Sequence, residues 1–161
     1  MADNIVQKNQ YLTFELGRET YAIEVMRVRE VLELNDLTRI PKMPEYMRGV
    51  INLRGSVVPV LDLRLKFGLE QAEKTLDTRI VVLEVGVNGE EVVLGALADK
   101  VNEVIEIPEN QIDPAPRIGT RLKNEVLQGV GKRDEQFIII LDIDKIFSAD
   151  EIDSIIERQE G

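Results

Sequence analysis

The chain has 161 residues, 43% hydrophobic and 31% charged, and its 30 acidic against 20 basic residues give a formal charge of −10; this is the composition of a globular domain with a core of ordinary size. It holds no cysteine and no histidine, which removes thiolate catalysis, Ser-His-Asp triads, imidazole acid–base chemistry and the usual zinc sites. The acidic balance and 4% aromatic content work against binding to phosphate backbones and stacked bases.

In chain order, MADNIVQKNQ lacks the basic and apolar regions of a signal peptide, so a cytoplasmic location is expected. The segment YLTFELGRETYAIEV alternates at period two through Leu12, Phe14 and Leu16, turns near Gly17, and alternates again through Tyr21, Ile23 and Val25, which predicts a hairpin. The phase is lost after Val25 and resumes with Val-x-Glu-Val; a bulge, a bend or a single helical turn would account for the break. The stretch MPEYMRG suits one helical turn ended by Gly49. Two strands then flank a short loop at Asn52-Leu53-Arg54-Gly55. In the second, Val57, Pro59, Leu61, Leu63 and Leu65 are expected on one face, with Val58, Val60, Asp62 and Arg64 on the other. Proline cannot donate to a ladder, so position 59 is expected at an edge or bulge.

The segment RIVVLEVGVNGEEVVLGALA predicts another hairpin, turning at Asn88-Gly89, and again the phase breaks, after Ala98. The longest apolar run, Phe137 to Leu141, is far below the ~20 residues of a membrane-spanning helix. In FSADEIDSIIERQEG, Ser148 and Glu151 form a capping box, Phe147 staples to Ile152, and Ile152, Ile155 and Ile156 make a narrow stripe that suits a helix lying against the surface of the body.

The chain also repeats itself. Gly49 to Phe67 lies without gaps on Gly129 to Phe147, 80 positions on, with Gly49/Gly129, Leu61/Leu141, Asp62/Asp142 and Phe67/Phe147 identical. Tyr21 to Leu34 lies on Leu94 to Ile107, 73 positions on, matching Val28/Val101, Glu30/Glu103, Val31/Val104 and Glu33/Glu106. Duplication predicts a mainly β fold of about ten strands in two packed five-stranded barrel-like units, about 10–69 and 78–147, with a terminal helix over about 148–160. Units so small should share a hydrophobic layer.

The two copies control one another. Arg54-Gly55 faces Asp134-Glu135 in the second copy, so the scaffold does not require Arg54; it is either a solvated charge or an interface residue held on a rigid tip. The retained pairs Glu30/Glu103 and Glu33/Glu106 favour a structural role, the alternative being that Glu30 reaches Arg54 through a charge-assisted bond. Asp62, Asp142 and Asp144 lack the ligand spacing of a calcium loop, and no phosphate-binding loop occurs. A barrel that binds nucleic acid and a hydrolase using Asp62 and Asp142 are the competing classes.

Taken together, GVINLRGSVVPVLDLR, YAIEV with VREV, Ile40-Pro41 and QIDPAP resemble the CheW family of chemotaxis coupling proteins, from about Tyr11 to Phe147. The resemblance implies one CheW-like domain over 1–161, made of two packed β-barrels, with no catalysis and no cofactor or metal. It implies an adaptor, monomeric when free, between the regulatory domain of the histidine kinase CheA and the cytoplasmic tips of methyl-accepting chemoreceptors, with no nucleic acid and no membrane insertion. Carried over by position, the receptor-facing groove between the barrels would use Val28, Glu30, Val31 and Arg54, with Ala98, Val101 and Val104. Kinase contacts would use Asp36, Leu37 and Thr38 in the first half, and the loop QIDPAPRIG with Ile118 in the second.

Overall fold

The computed structural model describes residues 9–35, 37–113, 126–148, 150–152 and 155. Its elements run β1 (Gln10–Leu16), β2 (Glu19–Glu24), a 3-10 turn (Val25–Arg27), β3 (Val28–Glu33), β4 (Met47–Leu53), β5 (Ser56–Asp62) and α1 (Leu63–Lys66). They continue with β6 (Arg79–Val87), β7 (Glu90–Ala98), β8 (Lys100–Glu106), β9 (Ile112–Asp113), β10 (Leu127–Arg133), β11 (Gln136–Leu141) and α2 (Ile143–Ile146). The strands make two sheets, ordered β8-β1-β2-β11-β10-β9 and β3-β6-β7-β5-β4.

The duplication reaches into the hydrogen-bond registers. The parallel pair Val60↔Gly95 reappears as Ile140↔Ala22, the same residues under the offsets of 80 and 73. The register shift between Met47 and Gly49 recurs between Leu127 and Gly129. A Cβ at Gly49 would stand 2.7 Å from the Thr38 carbonyl oxygen, and one at Gly129 2.8 Å from that of Asp113, so both glycines admit a neighbouring backbone that a side chain would block.

The halves are nevertheless not the sheets, which corrects the division at 10–69 and 78–147. Hairpin β1–β2 joins β8, β10 and β11 of the second half, while β6–β7 joins β3, β4 and β5 of the first. The two breaks of period are where this exchange happens: the 3-10 turn Val25–Arg27 and the single residue Asp99 carry the chain from one sheet into the other. Local alternation selects hairpin partners, but the parallel partner of a hairpin is a non-local choice that alternation does not encode.

Each sheet encloses a small interior. Tyr11, Ala22, Ile105, Ile107, Ile138 and Ile140 fill one; Val60, Ile80, Val82 and Leu97, with Leu32, Leu37 and Ile51 against them, fill the other. Between them lies a larger shared layer, where Phe14, Tyr21 and Ile139 meet Leu61, Phe67, Leu83 and Leu94. The expected packing of the two units on one another is therefore present, and it explains why β1 is buried on both faces. Ile152 and Ile155 are 0% and 1% exposed within this layer, each worth ~1.5–3 kcal/mol, so these two positions of the expected helix are seated in the core, deeper than the narrow stripe suggested. Ile156 lies outside the described residues.

Three local expectations are also corrected. Strand β5 ends at Asp62, whose Oδ1 accepts from the Arg64 amide at 3.0 Å and caps a helical turn, so Leu63 and Leu65 do not continue the strand. Asp142 caps α2 likewise; the aspartates that repeat 80 positions apart are caps. Pro59 sits in an inner strand, though β7 joins β5 only from Val60 onward, so its missing donor is tolerated. Residues 45 and 46 form a turn closed by the Met47 amide on the Pro44 carbonyl at 3.0 Å, and Gly49 lies inside β4.

Candidate functional site

Arg54 and Gly55 are the two residues of the turn between β4 and β5, with φ of 51° and 88°. Both values are positive, as a tight hairpin turn matching the strand twist requires. The Asn52 Oδ1 accepts from the Gly55 amide at 2.8 Å and fixes the turn. The Arg54 guanidinium donates to both oxygens of Glu30, at 2.9 and 3.2 Å, and this hydrogen bond holds its pKa above the usual arginine value. Arg54 ends the outer strand β4 and Glu30 lies on the opposite outer strand, β3. Their pairing therefore bridges the two ends of the sheet order. The arginine side chain stays 73% exposed while the glutamate is 25% exposed, so the pair stands at the surface with its carboxylate sheltered.

The other residues expected to face the receptor divide into three groups. Val31 and Val104 are 39% and 47% exposed, large apolar side chains left in water. Val28 and Val101 are half-buried and pack at the rim of the shared layer. Ala98 is 2% exposed, inside that layer, and so offers no surface. Val28 pairs with Leu83 and Val101 with Phe14, so the two valine pairs hold equivalent places on the two sheets.

Among the residues expected at the kinase, Leu37 packs against the interior behind β4. Thr38 is exposed and exchanges two backbone hydrogen bonds with Val50, at 3.0 and 2.9 Å. Ile112 and Asp113 pair with β10 in the same way, through Val130↔Asp113. The two segments expected to meet the kinase thus begin from equivalent places, the isolated bridge at Thr38 beside β4 and the two-residue strand β9 beside β10. Asp36 and Ile118 lie outside the described residues.

Sequence reasoning missed two features. Val57 and Phe137, equivalent residues just past each tip, are 62% and 67% exposed; both read as core positions because alternation does not reveal that the strand has outrun its sheet. The charged contacts around the crossovers were missed as well. Arg27 donates to the Glu84 carbonyl at 3.0 Å and to Asp144 with two nitrogens, one at 3.0 Å. Burial pushes the Asp144 carboxyl up, but Arg27 and the Gly86 amide outweigh it and hold the group below its ordinary value.

The model of the CheW-like domain matches residues 10–151. The chain belongs to the CheW family. Chemotaxis protein CheW of Klebsiella aerogenes is 36% identical over 143 residues, 89% of this chain and 84% of the relative. Its namesake in Helicobacter pylori is 36% identical over 141 residues, 88% and 82% of the two chains. The crystal structure of the scaffolding protein TtCheW from Thermoanaerobacter tengcongensis superposes with a TM-score of 0.77 at 36% identity, covering 87% of this chain and 88% of that one. CheW proteins are chemotaxis scaffolds and coupling proteins, not enzymes, and the two-barrel fold is theirs. Among the described residues no helix is long and apolar enough to cross a membrane.

Proposed function

We propose that this scaffold couples the regulatory domain of the histidine kinase CheA to the cytoplasmic tips of methyl-accepting chemoreceptors, acting in the cytoplasm. Receptor tips are helical, and a helix docks by laying an apolar stripe along a groove while charged groups at the rim fix its register. Val31 and Val104 offer the apolar surface, Val28 and Val101 lie beneath it, and Glu30 with Arg54 supplies the polar rim. The kinase is met by Asp36, Leu37 and Thr38 in the first half and by the segment QIDPAPRIG, with Ile118, in the second.

The observation that carries this reading is the Arg54–Glu30 pair, two hydrogen bonds on a rigid turn with the guanidinium facing outward. An arginine whose orientation is already fixed loses little freedom when a partner docks on it. Separate pull-downs with a receptor tip fragment and with the kinase regulatory domain test the assignment. Arg54→Ala is expected to weaken tip binding by at least about tenfold, as hot-spot truncation does, while thermal stability and kinase binding stay near wild type. Ile118→Asp is expected to do the reverse, losing the kinase and keeping the tip. Equal loss of both partners in either variant would overturn the separation of the two surfaces.

A further inference from the structure

Each crossover between the sheets immediately precedes a groove strand, and each is held by a three-way charged joint. Arg27 ends the turn before Val28, and its guanidinium is bound by Asp144 of α2 and by the Glu84 carbonyl of β6. Asp144 Oδ1 also accepts from the Gly86 amide at 2.7 Å. Asp99, the residue between β7 and β8, is bound by Arg64 of α1 at 2.6 Å, and its Oδ2 accepts from the Gly17 amide at 2.6 Å. The Asp99 amide donates to the Glu15 carbonyl at 2.9 Å.

The joints are alike with their polarity exchanged, although on the crossovers the partners stand one position apart, Arg27 lying opposite Lys100 and Asp99 opposite Met26 under the offset of 73. Arg64 and Asp144 are 80 positions apart, the offset of the repeat. Gly17 and Gly86 are equivalent through the registers that set Phe14 against Val101 and Leu83 against Val28. In one joint the carboxylate stands on the crossover and the guanidinium on the helical turn; in the other the roles are reversed. Both times the acid takes the amide of the hairpin glycine, and both times a first-half cation meets a second-half acid. The two joints thus match in kind, with one acid, one guanidinium and one glycine amide apiece, though not residue for residue.

We propose that these clamps are positioning devices for the receptor groove, which deepens the reading given above and rests on it. Without touching the receptor, Arg27 with Asp144 sets Val28, Glu30 and Val31, and Arg64 with Asp99 sets Val101 and Val104, each relative to the opposite sheet. The four side chains are 18 to 38% exposed, and partly exposed pairs add little to global stability. Their effect on geometry can therefore be separated from their effect on folding.

The full-length protein is compared with Arg27→Gln, Asp144→Asn, the exchanged pair Arg27→Asp with Asp144→Arg, and Arg54→Ala as the contact reference. Residual dipolar couplings of the free protein report the angle between the two sheets, and calorimetry reports affinity for a chemoreceptor tip fragment. Arg27→Gln and Asp144→Asn are each expected to weaken tip binding about three- to tenfold, the range of substitutions that act through a coupled network, and to change the angle, with kinase binding kept. The exchanged pair is expected to recover both. Unchanged couplings and affinity in the single variants, or an exchanged pair no better than they are, would overturn the proposal. If wild type fails to bind the tip, or Arg54→Ala binds as wild type does, the receptor reading falls; the couplings then decide the positioning claim alone. Arg27→Lys, which keeps the charge and loses the fork, serves should Arg27→Gln fail to fold, and is expected to fall between wild type and the other single variant.

Discussion

At Arg54-Gly55 the backbone turns with φ of 51° and 88°, and at Asp134-Glu135 with 50° and 67°. The two tips thus have nearly the same conformation, but the first places glycine where the left-handed region must be entered and the second places glutamate there, at a cost of roughly 1 kcal/mol. In the first tip the turn residue itself reaches the glutamate of the outer strand, with two bonds of 2.9 and 3.2 Å. In the second the cation has moved one residue back, to Arg133, and stands 3.8 Å from Glu103. Both tips therefore set a cation near that glutamate, supplied by different residues. An arginine on the turn itself, with two hydrogen bonds and facing out, has no counterpart on the second tip.

Grafting the second tip onto the first breaks this difference most completely. With Arg54→Asp and Gly55→Glu together, tip binding is expected to fall by about a hundredfold or more, since like charges then face one another across a docking surface, while kinase binding persists; affinity within threefold of wild type would count against the site. Removing strain sharpens the same comparison: Glu135→Gly is expected to raise unfolding stability by ~1 kcal/mol, and Gly55→Ala to lower it by a similar amount, both read from denaturant midpoints.

A further effect of about this size or smaller concerns the helix after the second tip. Burial pushes the Glu151 carboxyl up, but Lys66, the Ser148 amide and the Tyr46 hydroxyl together bring it down from 4.5 to about 2. A carboxyl whose folded value is depressed contributes its full stability above about 4.5, and loses it as pH falls toward 2. Once solvent screening is allowed for, this amounts to ~1 kcal/mol; Glu151→Gln is expected to flatten that part of the stability–pH curve. The smallest effect belongs to Arg133→Ala, expected to change stability by no more than ~0.5 kcal/mol and tip binding not at all.

Much of this was legible in the sequence, because its signals are local or repeated. Asn88-Gly89 marked a hairpin, Ser148 and Glu151 a cap that the structure closes at 3.0 and 3.1 Å, and the ungapped matches marked the duplication. Arg54 stood out because its counterpart differs. Its pairing with Glu30 could only be posed as an alternative, since 24 residues separate them and closure of the sheet is what joins them. Ala98 was placed at the groove by resemblance to the family alone, and alternation could not test it, since it does not say which of two sheet faces lies under a second barrel. The helical turn at Leu63 was hidden by LDLRLKF, whose alternation mimics a strand; the cap at Asp62 was the signal that could have revealed it.

The exchange of hairpins has a consequence for biosynthesis. When β1 and β2 leave the ribosome, the strands that flank them, β8 and β11, have not been made, and β3 to β5 must likewise wait for β6 and β7. Long-range pairing of this kind slows folding and leaves edges open while synthesis proceeds. The first-half strands thus wait until Ala98 is made and the hairpin β1–β2 until Leu141, and cutting the chain at its point of internal symmetry would release two incomplete sheets in place of two modules.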